Sequence, residues 1–116
     1  MNPTKISVFN LVGNGFCVEA KEGEAVFNAI GKVLQQKKEV SISFQNVEML
    51  TSAFLNTAIG QLYNQYSEED IRAFVQVEGI SKADSALLRR VIETAKLYYK
   101  DPTWLEESAN RIMEEN

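Results

Sequence analysis

The sequence contains no histidine and a single cysteine, Cys17, in 116 residues. Without imidazole, His-based triads, His metal sites and imidazole acid–base chemistry are excluded. One cysteine cannot close an intrachain disulfide. Cys17 lies between Phe16 and Val18 in an apolar run, where a small residue on the pleat accounts for it better than a reactive thiol does. Basic residues are few and scattered: 12 Lys and Arg against 16 Asp and Glu leave a net charge of −4, and no basic stripe offers itself to nucleic acid. No apolar run is long enough to span a bilayer, and no basic-then-apolar leader opens the sequence. The expectation is a cytoplasmic protein that binds neither nucleic acid nor membrane and carries no metal or cofactor. Catalysis is not expected either. An enzyme of this length without histidine would have to use carboxylates or lysines, and the nearest candidates, Glu48 and Asp70, read as solvated surface carboxylates.

A second kind of absence marks the middle of the chain. From Met49 to Ser67 there is no charged residue, although 24% of the sequence is charged. Just before this gap, Val40, Ile42 and Phe44 alternate with Ser41, Ser43 and Gln45, the period of a strand. Within it, Leu55, Ala58, Ile59, Leu62 and Tyr66 recur at helical spacing and form one apolar stripe that faces a core. The opposite side, Asn56, Thr57, Gly60, Gln61 and Asn64, is polar, small and neutral. Depletion of charge is a mark of interface centres. On a helical wheel Phe54 falls beside Gln61 and Gln65, away from the core stripe. Two readings of Phe54 stay open: packing against the loop from Val47 to Leu50, or serving as an aromatic anchor for a partner.

The rest of the chain is organised around this stretch as one domain. Residues 1–80 carry the sheet and its helices, and residues 81–116 the C-terminal helices. Lys5–Val12 and Phe16–Ala20 read as two strands, and the Asn-Gly step in Gly13-Asn14-Gly15 predicts a hairpin between them. From Glu24 the period changes to that of a helix ending near Gln36, with Val26, Ala29, Ile30, Val33 and Leu34 on one face. A strand over Glu39–Phe44 completes a strand–helix–strand crossover. Ser67 is a candidate N-cap for a short acidic-fronted helix, Phe74–Val77 a further strand, and Ser81 the cap of a long helix to about Tyr99. In that helix Leu87, Leu88, Val91, Ile92, Ala95 and Tyr98 are expected to pack inward. Asp101-Pro102 restarts the chain, and Trp104–Met113, with Leu105, Ala109 and Ile112 on one side, is expected to dock as a last helix. The fold class expected is α/β: a small mixed sheet of about four strands flanked by helices, with extra C-terminal helices.

That order, and a strand–turn–helix with hydroxyls at the helix start, resembles a STAS domain, the fold of anti-sigma factor antagonists and of the cytoplasmic ends of sulphate transporters. The resemblance is closest to the STAS-like family of bacterial proteins, and it rests on Val40-Ser-Ile-Ser-Phe-Gln-Asn-Val47 and on Thr51-Ser-Ala-Phe-Leu-Asn-Thr-Ala-Ile-Gly-Gln-Leu62. In the antagonists the turn reads Asp-Ser-Ser/Thr-Gly-Leu, and a serine there is phosphorylated by an ATP-binding anti-sigma kinase. Here the window is Thr51-Ser52-Ala53-Phe54-Leu55, so one hydroxyl aligns and the Asp and Gly are replaced. The resemblance implies a non-catalytic regulatory module that binds a protein partner, such as a regulatory ATP-binding kinase. It implies a phosphorylation point at Ser52, with Thr51 the second choice, and a contact surface of Thr51, Ser52, Phe54, Asn56, Thr57 and Gly60. Ser52 also suits an N-cap. A second reading is a sensor of a small ligand, anion or nucleotide, held by the free N–H groups of the same helix start. Homo-oligomerisation stays open.

Overall fold

The computed structural model describes residues 3–100. The expected N-cap at Asp101 and the docking of Trp104, Leu105 and Ile112 lie outside these residues. Three strands, β1 (Thr4–Ser7), β3 (Val40–Ser43) and β5 (Val75–Glu78), form a sheet in the order β1-β3-β5. Two very short strands, β2 (Phe16–Cys17) and β4 (Met49–Leu50), form a separate pair. Every pairing among the described residues is parallel, so the expected mixed sheet is instead two small parallel ones. Six helical segments surround them: α1 (Val8–Val12), α2 (Ala20–Gln35), α3 (Ser52–Leu55), α4 (Leu62–Gln65), α5 (Glu68–Phe74) and α6 (Lys82–Lys100). A π-helical turn, Asn56–Gly60, joins α3 to α4.

The expected N-terminal hairpin is absent, and local hydrogen bonding gives the reason. Ser7 ends β1 by capping α1, its Oγ accepting from the Asn10 N–H at 3.1 Å. Gly13 ends α1 in the left-handed region at φ 91°, with its N–H donating to the Phe9 carbonyl. The apolar run that looks like one long strand is therefore a four-residue strand followed by a helical turn that buries Val8 completely. A short apolar run has no periodicity strong enough to separate the two cases. Asn14 then accepts the Phe16 N–H on its Oδ1 at 2.7 Å, and Phe16 runs parallel to Met49 instead of turning back on β1.

Strand β3 is central and buried at all four residues. Its register puts Val40 and Ile42 on the face of Ile6, and Ser41 and Ser43 on the face of Lys5 and Glu78. The first face is core, continuous with Val26 and Ile30 of α2 and with Leu55, Ala58, Ile59 and Leu62 of the central helix. On the second face Lys5 Nζ meets Glu78 Oε1 at 3.1 Å, a contact that reaches from β1 to β5 over β3. That contact crosses above the serines, whose exposures are only 7% and 4%. The alternation expected for β3 thus holds, but both of its faces are covered.

Helix α2 begins at Ala20, four residues before the expected start, because the Glu19 N–H donates to Glu22 Oε1 across the first turn at 3.3 Å. It ends in two reverse bonds, Lys37 N–H to the Leu34 carbonyl and Lys38 N–H to the Val33 carbonyl. This is the Schellman arrangement. It places Lys37, a residue with a Cβ, in the left-handed region at φ 58°. The caps expected at Ser67 and Ser81 are present, accepting from the N–H groups of Asp70 and Asp84. In α6, Leu88, Val91 and Ala95 are buried, Leu87 and Ile92 half-buried, but Tyr98 is 51% exposed. Lys96 of α6 and Arg72 of α5 both reach Glu68 Oε1, at 2.8 and 2.9 Å, tying the two helices together.

Candidate functional site

The six residues expected to form a contact surface do not share one face. Thr51, not Ser52, is the N-cap: its Oγ1 accepts from the Phe54 N–H at 3.3 Å. The same hydroxyl donates to the Val18 carbonyl at 2.6 Å, and the Thr51 N–H donates to the Cys17 carbonyl at 3.2 Å. The start of the central helix is therefore pinned to the strand segment around Cys17. Thr51→Val, which keeps the shape and removes the hydroxyl, is expected to cost about 1–2 kcal/mol, whereas Thr51→Ser should cost well under half of that. Chemical denaturation of the two variants against the wild type checks it.

Ser52 sits one residue into the helix, exposed, and its hydroxyl enters no hydrogen bond among the described residues. Ala53 and Asn56 beside it are also exposed. Phe54 is not a surface anchor. It is 0% exposed and is the largest fully buried side chain among the described residues. Gly60 is buried too, and the direction of its missing Cβ faces the Ala95 methyl of α6 at 3.7 Å. Thr57 is half-buried against α2, where its Cβ would lie 3.0 Å from a Cβ on Gly23. The surface available at this end of the helix is Ser52, Ala53 and Asn56, with Thr51 partly accessible.

The π-turn explains why the helical wheel misplaced Phe54. The Gln61 N–H donates to the Asn56 carbonyl at 3.1 Å, five residues back instead of four. The extra residue moves Leu62 to where residue 61 would stand in an unbroken helix, about 100° round the axis. Leu62 then comes onto the side of Phe54, and both are fully buried. The Thr57 carbonyl, deprived of its usual N–H partner, accepts instead from the side-chain Nε2 of Gln61 at 3.1 Å. Nothing in the residue pattern announces this turn except Gly23, which allows α2 to lie against the backbone of Phe54 and Ala58.

The neutrality of Met49–Ser67 has a double origin. Part of it reflects enclosure within the molecule, since α2 covers the Thr57 side and α6 the Gly60 side. The remainder, at Met49, Ser52, Ala53, Asn56, Asn64, Gln65 and Ser67, is exposed and uncharged. Cys17 is fully buried, and burial, with a smaller contribution from the charge of Glu22, pushes its thiol up to about 11. It is protonated at neutral pH and packs as an apolar residue. Among the described residues no group of His, Cys, Asp and Glu is placed to hold a metal, and no helix is long and apolar enough to cross a membrane.

No curated protein and no solved structure matches the chain. A family model does, that of the STAS-like domain of unknown function (DUF4325), over residues 22–85. The matched segment runs from the first turn of α2 through β3, the central helix and β5 to the first turn of α6. With more than half its length inside that match, the chain belongs to the family of STAS-like domains.

Proposed function

We propose that this chain is a non-catalytic regulatory module that binds a protein partner through the exposed start of the central helix, with phosphorylation of Ser52 as the switch. The partner class is a regulatory ATP-binding kinase, the class that the STAS resemblance implies. One observation carries the choice of residue: the Ser52 hydroxyl is exposed and unengaged, whereas the Thr51 hydroxyl is committed to both Val18 and Phe54. A kinase reaching this turn finds Ser52 available, and modification of Thr51 would break the cap. The same commitment disfavours an anion held by Thr51 and Ser52 together, because the Thr51 hydroxyl has no proton left to donate.

A phosphate on Ser52 adds about 1.5 to 2 negative charges beside Ala53 and Asn56, in a segment that carries none. Burying those charges against a partner without a matching cation is costly, so the complex should separate while the isolated domain stays folded. Affinity capture from the native cell with wild type, Ser52→Ala and Ser52→Asp makes the comparison. The expected outcome is the same thermal midpoint for all three within a few degrees, partner recovered by wild type and Ser52→Ala, and partner lost by Ser52→Asp. Equal recovery by all three, with Asn56→Lys also without effect, would place the contact elsewhere.

A further inference from the structure

Away from the central helix start, the C-terminal end of α2 and helix α5 enclose a hollow of about 280 Å³. Its sides are Leu34, Tyr66 and Phe74, all half-buried, and the buried Ile71 contributes to its interior. Lys37 and Asp70 complete the lining, both exposed, and neither forms an ion pair among the described residues. An apolar hollow that bears one cation and one anion, unpaired with each other, is an arrangement that offers two polar anchors to a single small guest. Small-molecule pockets begin near ~300 Å³, mostly apolar with few converging polar groups. The size therefore suits a compact metabolite.

Lys37 contributes a second, independent observation. The last turn of α2 closes in a Schellman arrangement whose left-handed position is ordinarily glycine, yet here it holds lysine at φ 58°. Glycine or asparagine would fit that backbone with less strain. The lysine occupies this position at a cost to the fold, and it lines the hollow with a long cationic side chain.

We propose that this hollow binds a free α-amino acid with an apolar side chain. Its carboxylate pairs with the Lys37 ammonium, its ammonium with the Asp70 carboxylate, and its side chain enters between Leu34, Tyr66, Ile71 and Phe74. A monoanion alone would satisfy Lys37 and be repelled by Asp70; a monocation would suffer the reverse. The zwitterion is the one small charge pattern that uses both anchors. All six lining residues fall inside the segment matched by the family model. This site is separate from Ser52 and stands or falls without it.

The test uses the whole 116-residue chain, isotopically labelled, titrated with L-leucine and with L-phenylalanine while backbone amide shifts are followed by NMR. Saturable shifts are expected at residues around Leu34–Lys37 and Asp70–Phe74. Lys37→Gln and Asp70→Asn, both at exposed positions, are each expected to weaken binding about tenfold, the loss of one charge-assisted hydrogen bond. 3-Phenylpropionate and phenethylamine, which lack the ammonium and the carboxylate respectively, should bind more weakly than phenylalanine. The proposal is overturned by the absence of saturable shifts with either amino acid, by shifts that map elsewhere, or by equal affinity in wild type and both variants. Binding of phenylpropionate or phenethylamine as tight as that of phenylalanine would also overturn it, by showing that one of the two charges is idle.

Discussion

Phe54→Ala is expected to lower the stability of the domain by about 3–5 kcal/mol, the range for emptying a buried aromatic position. Phe54 is 0% exposed, and Leu55, Ala58 and Leu62 near it in the chain are at 0% as well. With neighbours this well enclosed, the site has little room to collapse, which puts the cost towards the upper end. A domain of this size has a total stability of the same order as the loss, so the variant should be largely unfolded near physiological temperature. Phe54→Leu, which retains apolar volume, should remain folded and lose less. Urea unfolding followed by circular dichroism gives both values. A loss under about 1 kcal/mol for Phe54→Ala, the behaviour of a surface side chain, would mean that Phe54 is the exposed anchor that the helical wheel suggests and that the π-turn is wrongly placed.

The second large effect comes from a pair of glycines in α2. A Cβ on Gly23 would lie 2.7 Å from the Phe54 carbonyl oxygen, 3.0 Å from the Thr57 Cβ and 3.2 Å from the Ala58 backbone nitrogen. Two of these three atoms are backbone and cannot swing aside, so α2 or the π-turn must move. Gly23→Ala is expected to cost about 2 kcal/mol, within the range for overpacking a well-filled site. Gly31, two turns further on in the same helix, has nothing within 4 Å of its Cβ direction. There the substitution removes only the conformational cost of glycine in a helix, and Gly31→Ala should stabilise by about 0.5–1 kcal/mol. One substitution, made twice in one helix, is expected to change stability in opposite directions. Thermal and urea midpoints of the two variants test the contact directly, and equal signs would remove the close approach of α2 to the π-turn from the account.

Much of the fold is legible in the sequence where one signal is local and strong. The serines at 67 and 81 announce helix starts because a hydroxyl followed by an acidic first turn has few other uses. The alternation of Val40, Ile42 and Phe44 identifies the central strand, and the stripe Leu55, Ala58, Ile59, Leu62 identifies the core side of the central helix. What escapes is set by tertiary context. Val8–Val12 is β-branched and aromatic, yet it is helical because Ser7 caps it and Gly13 terminates it. The Asn-Gly step serves a turn into a parallel pairing whose partner, Met49, lies more than thirty residues away in sequence. The π-turn changes the phase of the wheel by one residue, and a wheel has no means of registering this. That single residue separates Phe54 as an anchor from Phe54 as core.

At the candidate site the sequence indicates the correct turn but offers Ser52 as an N-cap, a role that the structure gives to Thr51. Thr51 and Ser52 are equivalent as letters; only the position of the Val18 carbonyl decides which of them caps and which is left over. The neutral face is also read too broadly, because Thr57 is covered by α2 and Gly60 by α6. The hollow at Lys37 cannot be seen without the end of α2 being brought beside α5, residues separated by more than thirty positions.

The proposal that Ser52 controls a partner is tested most directly by locating phosphate in two fractions of the chain purified from its native cell, one bound to partner and one unbound. Peptide mapping by mass spectrometry should find a single phosphate on Ser52 in the unbound fraction and none in the bound fraction. Phosphate on Thr51 instead, equal occupancy of Ser52 in both fractions, or no phosphate in either would contradict it.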